Sequence, residues 1–490
     1  MKYLLGIDVG TTGTKALLFR QDGLLMGQAY EGYPTQTPQV GYSEQDARHW
    51  WTAVVHTVRQ LCTDPAVAEN VAAISLSLQG GTLVPVDGNM EPLRPAMVWS
   101  DVRCGKQRAA FAAEIGADAM YQKTGWVLEE GLPALQIRWI RDNEPEIFEQ
   151  TALFLTVPGY ISMKMTGIPA VDMSDAGIDQ LFHIHERCYD DQILRFCGIR
   201  EEQLAKVVAS GDVIGPLSAE AAAELGLPTT TLLVAGAHDQ YAVALGAGAV
   251  AAGDMLIGSG TCWVITCIAD GPDPASGLSQ SVAAVPGMWG SMCELSAGGV
   301  CLEWWRRSLA NAENGILDYG TINAEASARR AAEDGIFFYP VTGMAGKGQK
   351  FRRSCFTGLD LSHDRFHMAR AVMEGVAFQA VWMMELFPVK PSAQGIKLSG
   401  GASKSELWCQ LVADIAQVPV RIPEVADMAC VGAAILAGVG CGLYADTADG
   451  YRHMAIPERV LYPRPEYATV YPKLFETYKR NAAILVKTQE

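Results

Sequence analysis

A polar, glycine-rich turn between two apolar segments opens the chain and constrains its fold more than any other feature. Residues 4–19 read LLGIDVGTTGTKALLF, which predicts two short strands on either side of the turn. Glycine permits the backbone angles of tight turns and lets a ligand approach the amide groups closely. Hydroxyl, amide and ammonium groups meet here, from Gly10, Thr11, Thr12 and Lys15. Such chemistry suits a polyphosphate, although an ordinary hairpin would carry the same pattern.

A second stretch of the same design lies in the middle of the chain. Residues 254–267 read DMLIGSGTCWVITC, with a turn that ends at Thr261. Segments rich in glycine and alanine, predicted to be helical, occur at residues 241–248 and 431–440. Small residues allow helices to cross closely. The agreement in order and type predicts an internal repeat of two α/β halves, with a ligand cleft between them.

Length and charge narrow the class of protein. The chain has 490 residues, so two domains are expected, over residues 1–248 and 249–490. Hydrophobic residues make up 49 % of the sequence and charged residues 19 %, as in globular proteins. The net charge of −16 argues against a nucleic acid as partner. No apolar segment reaches the ~18 residues that a membrane span requires, so no membrane partner is predicted.

The cysteines indicate a reducing compartment. None of the twelve belongs to a C-x-x-C pair, and most lie in apolar or small-residue segments, as buried thiols do. The sequence starts directly with a predicted strand and shows no signal peptide. A cytoplasmic location is therefore predicted. His183 and His185 would share one face of a strand, but a surface position is favoured over a metal site because no third ligand is near in sequence.

Two aspartates are candidates for the chemistry. Phosphoryl transfer needs positioning, charge stabilisation and one carboxylate to accept the proton of the attacking hydroxyl. Asp239 stands where a predicted strand meets a predicted helix, and it suits this task. From the residues alone, the N-cap of the helix is an equally good interpretation of Asp239. Asp8, in the first hairpin, is the candidate for holding Mg²⁺ through water.

The motifs, taken in order, resemble those of the FGGY family of carbohydrate kinases within the actin–hexokinase superfamily. GIDVGTTGTK at residues 6–15 resembles the first phosphate segment, and GSGT at residues 258–261 resembles the second. GAHDQ at residues 236–240 resembles the catalytic segment, and GGA at residues 400–402 resembles the adenosine segment. The resemblance extends from residue 4 to about residue 442. It implies an α/β fold of two ribonuclease H-like domains with an interdomain cleft.

The resemblance also implies site residues. Asp239 would be the catalytic base and Asp8 would hold the hydrated Mg²⁺. The residues expected to bind ATP are Gly10, Thr11, Thr12, Lys15, Thr261, Gly299, Glu303, Gly400, Gly401, Ala402 and Ser405.

The acceptor segment departs from the family pattern. In this segment, xylulokinases have a sequence that resembles Gln-Met-His-Gly, and glycerol kinases have one that resembles Gln-Arg-Glu-Thr. This chain has Gln-Gly-Gly-Thr at residues 79–82. Either the pocket is larger, or its contacts come from elsewhere in the chain. WSDVR at residues 99–103 matches the family pattern W-x-D-x-R. The candidate substrate residues are Gln79, Gly80, Gly81, Trp99, Asp101, Arg103, Asp239 and Gln240.

The resemblance implies ATP- and Mg²⁺-dependent phosphorylation of a small sugar, with a pentulose such as xylulose as the first choice. Glycerol, a tetritol or another polyol or modified sugar is the alternative acceptor. An actin-like nucleotide-binding protein without kinase activity is the alternative from another class. The oligomeric state stays open, with a homodimer as one option.

Overall fold

The computed structural model describes residues 1–309, 311–312, 315–346, 348–425 and 427–489, and its contacts divide the chain into two units. The first unit consists of Met1–Val250, Asp270–Ser291 and Val425–Ile456. The second unit consists of Ala251–Ala269, Met292–Glu424 and Pro457–Glu490. Each unit is therefore assembled from three separate segments of the chain.

A six-stranded mixed sheet lies at the centre of the first unit. Its strands, in spatial order, are Val213–Pro216, Leu232–His238, Val71–Leu78, Tyr3–Val9, Gly13–Arg20 and Leu25–Gly32. The second, third and fourth strands of this order are parallel, and Leu78 pairs with both Val9 and His238. The carboxyl ends of the three parallel strands consequently meet at one edge. Open α/β sheets bind ligands at this edge.

The sequence explains why these strands lie in the middle of the unit. Leu5, Ile7 and Val9 are fully buried, and the parallel partner strand VAAISLSL is almost continuously apolar. Strands covered on both faces show such continuous apolar segments. The helix Ala47–Leu61 begins at the N-cap Asp46 and buries Trp50, among others, at helical spacing.

The remaining elements of the first unit surround this sheet. A four-stranded sheet has the order Glu44–Gln45, Ala96–Met97, Leu83–Val86 and Leu153–Thr156. Two small two-stranded pairs are Phe182–His183 with Cys188–Tyr189, and Lys206–Val208 with Ala170–Asp172. The other helices are Pro65–Ala68, Gly105–Glu114, Ala117–Thr124, Pro133–Asn143, Pro145–Gln150, Val157–Thr166, Met173–Ile178, Asp191–Cys197, Glu201–Gln203, Ala219–Leu225, Asp239–Gly246, Pro274–Ser276, Met428–Gly440 and Thr447–Met454.

Two helices rich in small residues cross in backbone contact within the first unit. A Cβ atom added at Gly246 would lie 1.9 Å from the carbonyl oxygen of Met428, and one at Gly432 would lie 2.0 Å from that of Ala242. The close crossing expected from the sequence is thus present. The internal repeat assigned one of these helices to each half, whereas the contacts of Met428–Gly440 group this helix with the first unit.

The second unit repeats the central arrangement of the first. Five strands lie in the order Trp263–Ala269, Met255–Ser259, Ile396–Gly400, Val420–Pro423 and Glu458–Leu461. An antiparallel hairpin is again followed by two parallel strands, and Ser259 pairs with Gly400 near the carboxyl ends. The internal repeat of two α/β cores is confirmed by this order.

The other elements of the second unit complete the fold. Its helices are Val300–Ser308, Tyr319–Ser327, Arg365–Met384, Gly401–Lys404, Glu406–Ala416, Pro465–Tyr467, Val470–Leu485 and Val486–Thr488. Three small pairs of strands are Asn311–Ala312 with Gly315–Ile316, Phe337–Tyr339 with Cys355–Thr357, and Met344–Gly346 with Gln349–Lys350. Two further strands are Ser279–Val282, in a segment of the first unit, and Trp289–Leu295, which begins in that segment and ends in the second unit. Among the described residues, no helix combines the length and the apolar character needed to cross a bilayer.

Candidate active site

Asp239 lies at the carboxyl edge of the first sheet and is the first residue of the helix Asp239–Gly246. The N-cap position of this helix is taken by His238, so the N-cap interpretation of Asp239 is not what the structure shows. Its side chain is 36 % exposed, and the helix N-terminus favours a negative charge there. The next residue, Gln240, is half-buried beside it.

Asp8 and Lys15 face each other across the first hairpin, in pairing positions of its two strands. Ser77, on the adjacent parallel strand, donates a hydrogen bond to Asp8 Oδ1 over 2.8 Å. Lys15 Nζ lies 3.9 Å from Asp8 Oδ2 but only 2.7 Å from Asp427 Oδ2. The sequence reasoning missed Asp427. The local sequence around Asp427 indicates only that it is the N-cap residue of the helix Met428–Gly440. The structure thus places a second carboxylate beside the predicted phosphate-binding lysine.

The proximity of these carboxylates changes the protonation of Asp8. Burial, and next the charge of Asp427, raise the pKa of Asp8 to about 7, although Lys15 and Ser77 act in the opposite direction. For Lys15, burial lowers the pKa, but the carboxylates of Asp427 and Asp8 outweigh burial and raise it overall. The site therefore holds excess negative charge that a cation would relieve.

Replacing Asp8 by asparagine should stabilise the protein in the absence of nucleotide. The folded Asp8 binds its proton more tightly than the unfolded one, so the free energy of unfolding falls as pH rises from about 4 to about 7. Asp8→Asn removes this loss, and we expect Tm to rise by about 2–4 °C at pH 8. The gain should become small near pH 4, where the folded carboxyl is protonated and the unfolded one, with a pKa of 3.8, is protonated in part.

Differential scanning fluorimetry between pH 4 and pH 8 measures this effect. Glu114→Gln, at an exposed helical position, controls for the loss of one negative charge. A Tm of Asp8→Asn equal to or below that of the wild type at pH 8 would contradict the expected burial of charge.

The backbone carbonyls of the first turn are all occupied by hydrogen bonds. The Tyr33 hydroxyl donates to the carbonyl oxygen of Gly10 (2.5 Å), and the Tyr30 hydroxyl donates to that of Thr12 (3.2 Å). Gln45 Nε2 donates to the carbonyl oxygen of Thr11 over 2.6 Å. These side chains hold the carbonyls of Gly10, Thr11 and Thr12 in place, which fixes the conformation of the turn.

Gln79 connects this turn to the predicted acceptor segment. Trp99 Nε1 donates to Thr11 Oγ1 over 3.1 Å, and the Thr11 hydroxyl in turn donates to Gln79 Oε1 over 3.1 Å. Gln79 Nε2 donates to Gln45 Oε1 over 3.2 Å. Because Gln79 is buried and bonded through both amide atoms, it holds the site together, whereas the ring of Trp99 is half exposed.

The two glycines of the acceptor segment are enclosed by side chains. A Cβ atom added at Gly80 would lie 2.6 Å from His238 Cδ2 and 2.7 Å from Ile178 Cγ2. Gly81 has a φ of +70°, and a Cβ there would lie 2.7 Å from Leu132 Cδ2. The volume of the missing side chain is filled by residues from elsewhere.

Asp101 and Arg103 form a buried ion pair. Arg103 Nη2 lies 2.6 Å from Asp101 Oδ2 and 2.7 Å from Glu44 Oε1. Asp101 Oδ2 also accepts a hydrogen bond from the backbone N–H of Ser43, and its side chain is fully enclosed. The guanidinium of Arg103 stacks over the ring of Tyr42, 3.6 Å from its centroid. In this structure the pair therefore organises the loop after Trp99 instead of presenting free charges.

The second hairpin contacts a helix N-terminus in the second unit. The backbone N–H of Gly299 donates to the carbonyl oxygen of Gly260, and that of Val300 donates to the carbonyl oxygen of Thr261, each over 3.2 Å. A Cβ atom at Gly299 would lie 2.4 Å from the Gly260 oxygen, so glycine is required for this contact. Thr261 is exposed, and the start of the helix Val300–Ser308 lies beside it.

The predicted adenosine segment begins at Gly400, the last residue of the strand Ile396–Gly400, at the carboxyl end of this strand in the sheet of the second unit. Gly400 has a φ of +92°, and a Cβ atom there would lie 2.9 Å from the backbone of Ser259. Gly401 leaves ordinary van der Waals space, and Ala402 is buried. Ser405 caps the helix Glu406–Ala416 by accepting a hydrogen bond from Trp408 N. The chain thus turns closely around the second hairpin before entering the helix.

Two predicted nucleotide residues have protein partners. Hydrogen bonds from Arg306 and Tyr319 lower the pKa of Glu303 to about 2, and Arg307 also donates to Glu303. The Ser405 hydroxyl donates to Asn323 Oδ1 over 2.5 Å. Asn323, on the helix Tyr319–Ser327, was missed by the sequence reasoning because it lies 82 residues away.

Comparison with known proteins identifies the family of this chain. Family models match residues 3–246 as the N-terminal domain and residues 255–441 as the C-terminal domain of the FGGY family of carbohydrate kinases. The chain therefore belongs to the FGGY family, as its motifs predicted. The protein is a carbohydrate kinase, and kinases of this family use ATP to phosphorylate a small-molecule sugar.

Relatives of known name match almost the whole chain. Gluconokinase of Bacillus subtilis is 29 % identical over 495 residues, which cover 96 % of this chain and 94 % of that protein. Xylulose kinase of the same organism is 29 % identical over 485 residues, which cover 98 % and 96 %. The solved structure of a xylulose kinase from Rhodospirillum rubrum superimposes with a TM-score of 0.90 at 27 % identity, and 99 % of both chains is covered. The predicted α/β class with two actin/hexokinase-type domains is confirmed.

Proposed function

We propose that this kinase transfers the γ-phosphoryl group of ATP to a hydroxyl of an uncharged sugar, with a pentulose such as xylulose as the preferred acceptor. The convergence of Asp8, Gln79 and Asp239 at the carboxyl ends of three adjacent parallel strands carries this proposal. It brings a carboxylate base, a phosphate-binding turn and the acceptor segment to one sheet edge. No other part of the first unit combines these groups among its described residues.

Asp239 is the proposed catalytic base. It is partly exposed, lies at a helix N-terminus and is free of the N-cap function. Its carboxylate accepts the proton of the acceptor hydroxyl as that oxygen attacks the γ-phosphorus. The positive end of the helix stabilises the ionised form of the base.

The first turn and Lys15 are proposed to hold the phosphates in the first unit. The carbonyls of Gly10, Thr11 and Thr12 are bonded to side chains, which favours amide groups and hydroxyls as the atoms offered to an anion. Lys15 has three N–H donors, and Asp427 accepts one of them over 2.7 Å. Two donors therefore remain for a phosphate oxygen and Asp8.

Asp8 is the proposed residue for Mg²⁺. The fit rests on excess negative charge, because Asp427 and Asp239 both act on its carboxyl group and burial raises its pKa. Within the described part of the chain, no three metal-binding side chains converge, which favours a metal held through water molecules. When bound, Mg²⁺ supplies charge neutralisation at the phosphate oxygens.

In the second unit, the nucleotide is proposed to lie against residues with little side chain. These are Thr261, Gly299, Gly400, Gly401 and Ala402. Ser405 and Glu303 would then act mainly by orienting the neighbouring helices, since both are bonded to protein groups. At Gly401, where a Cβ atom would come no nearer than 3.5 Å to another atom, a nucleotide can approach the backbone closely.

The charges around the acceptor segment favour an uncharged sugar over a sugar acid. Arg103 is neutralised by Asp101 and Glu44, and Lys15 is paired with Asp427. Asp239 adds negative charge at the same edge. A carboxylate acceptor such as gluconate would be repelled there, whereas a pentulose would meet only hydrogen-bonding groups.

A coupled assay of ADP release over a panel of acceptors tests the proposal. The panel contains pentuloses, pentitols, tetritols, glycerol, hexoses and D-gluconate. We expect the highest kcat/KM for a pentulose and a value for D-gluconate at least about tenfold lower. A preference for D-gluconate would overturn the choice of acceptor, and turnover of no acceptor would overturn the kinase reaction.

A cytoplasmic location is also proposed. All twelve cysteines are free thiols, which supports a reducing compartment.

The net charge of −16 supports the absence of a nucleic acid partner.

A further inference from the structure

We propose that His238 positions the catalytic base by donating a hydrogen bond from its Nε2 to Asp239, and that glycine at position 80 provides the space for its ring. The inference rests on Asp239 being the base of the proposed reaction. His238 is adjacent to Asp239 in sequence, yet none of the motifs considered above assigns a function to it. It acts on the reaction only through the carboxylate.

The distance between the two side chains suits this task. His238 Nε2 lies 3.3 Å from Asp239 Oδ1. The histidine side chain is 6 % exposed, whereas that of Asp239 is 36 % exposed. The imidazole thus approaches one carboxylate oxygen from the buried side, and the other oxygen remains for the hydroxyl of the acceptor.

The surroundings of His238 determine which nitrogen carries its proton. Nδ1 is enclosed and has no hydrogen-bond partner among the described residues. A neutral imidazole has one N–H donor and one bare nitrogen. Of the two ring nitrogens, only Nε2 lies beside an acceptor among the described residues, so a proton finds a partner there and not on Nδ1. The proton therefore sits on Nε2, next to the carboxylate.

The ring is held from several sides and has little freedom to turn. Edge-to-face contacts place its centroid 6.2 Å from that of Trp126 and 5.8 Å from that of Tyr241. Its backbone N–H donates to Ser174 Oγ over 2.9 Å. Tyr241 is itself fixed by a hydrogen bond from its hydroxyl to the carbonyl oxygen of Gly290. A supported side chain of this kind can fix the orientation of a catalytic group.

Gly80 completes the arrangement. Any Cβ atom at this position would overlap His238 Cδ2 at 2.6 Å and Ile178 Cγ2 at 2.7 Å. The imidazole of His238, at the end of the neighbouring parallel strand, occupies the volume that a side chain at position 80 would need. Glycine at position 80 therefore makes room for this ring.

Two variants of matched length separate positioning from packing. His238→Gln retains an N–H donor near the Nε2 position, whereas His238→Met has a similar length and no donor. Assayed with D-xylulose, His238→Met should lower kcat about 10–100-fold, with KM for ATP within about twofold of the wild type. His238→Gln should recover most of kcat. Equal losses in both variants, or a loss in neither, would overturn the proposal.

The tautomer can be measured without any acceptor. Long-range ¹H–¹⁵N spectra of protein labelled at histidine, with His238 assigned by its disappearance in His238→Met, report which nitrogen bears the proton. The Nε2–H form is expected, and the Nδ1–H form would overturn the proposal. Failure of the proposed function appears instead as a wild-type protein that phosphorylates none of the acceptors, and the spectrum then decides the tautomer alone.

The coupling between Gly80 and His238 gives an independent result. Gly80→Ala should lower Tm, because the added methyl group overlaps His238 and Ile178. In the presence of His238→Ala the same substitution should lower Tm by clearly less, since much of the overlap is gone. Additive losses in the double variant would show that the two positions do not share this volume.

Discussion

Replacing Asp239 by asparagine should lower kcat about 10³–10⁴-fold and leave the affinity for ATP nearly unchanged. The substitution keeps the shape of the side chain and removes only its ability to accept a proton. Asp239 is the first residue of its helix and is not the N-cap, so little stability should be lost. ADP release measures the rate, and isothermal titration measures the binding of ATP.

Asp212→Asn is a matched control for this experiment. Asp212 is an exposed aspartate of the same unit, and it is bonded only to neighbouring backbone. Its substitution makes the same chemical change away from the site and should leave kcat unchanged. If Asp239→Asn retained a tenth of the wild-type kcat or more, the assignment of the base would fail. Loss of ATP binding together with kcat would point to a positioning function.

Replacing Gly432 by alanine should destabilise the first unit severely. The new Cβ atom would lie 2.0 Å from the backbone oxygen of Ala242, and backbone cannot move aside as a flexible side chain does. The helix Met428–Gly440 also packs against the central strand, where a Cβ at Gly6 would lie 1.8 Å from the Cys430 oxygen. Separating these elements should reduce the free energy of unfolding by about 3 kcal/mol or more.

Thermal unfolding and the yield of soluble protein measure this loss. Gly88→Ala is the matched control, because a Cβ atom at Gly88 meets no atom within 4 Å. We expect the control to resemble the wild type in both measurements. A Gly432→Ala protein with an unchanged Tm would mean that the two helices do not cross in backbone contact.

Local patterns were sufficient to predict many elements and part of the site. The continuous apolar segment at residues 71–78, followed by glutamine and glycine, predicts a buried strand, and the observed strand has these bounds. Apolar residues at helical spacing predict a helix from about residue 47 to 62, and the observed helix ends one residue earlier, at Leu61. The junction that presents Asp239 was also predicted, since a strand pattern changes there to a helical one.

Contacts between distant segments could not be read in the same way. Asp427 lies 412 residues from Lys15, and nothing local indicates that a helix cap will bind the lysine of the first hairpin. The sequence of residues 201–218 predicts a connecting region, yet Val213–Pro216 is an edge strand of the main sheet. The four residues VIGP are too few and contain glycine and proline, so they do not indicate a strand, and pairing with Leu232–His238 supplies the stability.

The acceptor segment shows a third limit. The sequence identified Gly80 as unusual, but only the fold reveals that His238 and Ile178 fill the space beside it. Likewise, Asp101 and Arg103 match the family spacing. Their enclosure depends on contacts with Tyr42, Ser43 and Glu44, which come from an earlier part of the chain. A motif identifies which residue types occur, and its neighbours determine which of their atoms remain available.

The discontinuous first unit sets a schedule for protein synthesis. The helix Met428–Gly440 packs on the strand Tyr3–Val9, so this strand must wait for a helix that is made much later. At roughly 5–20 residues per second, the ribosome needs on the order of 20–80 s to synthesise the chain between the two elements. During this time the backbone around Gly6 lacks its final cover. Chaperone dependence in the cell should therefore be governed by the synthesis of residues 425–456, which complete the first unit.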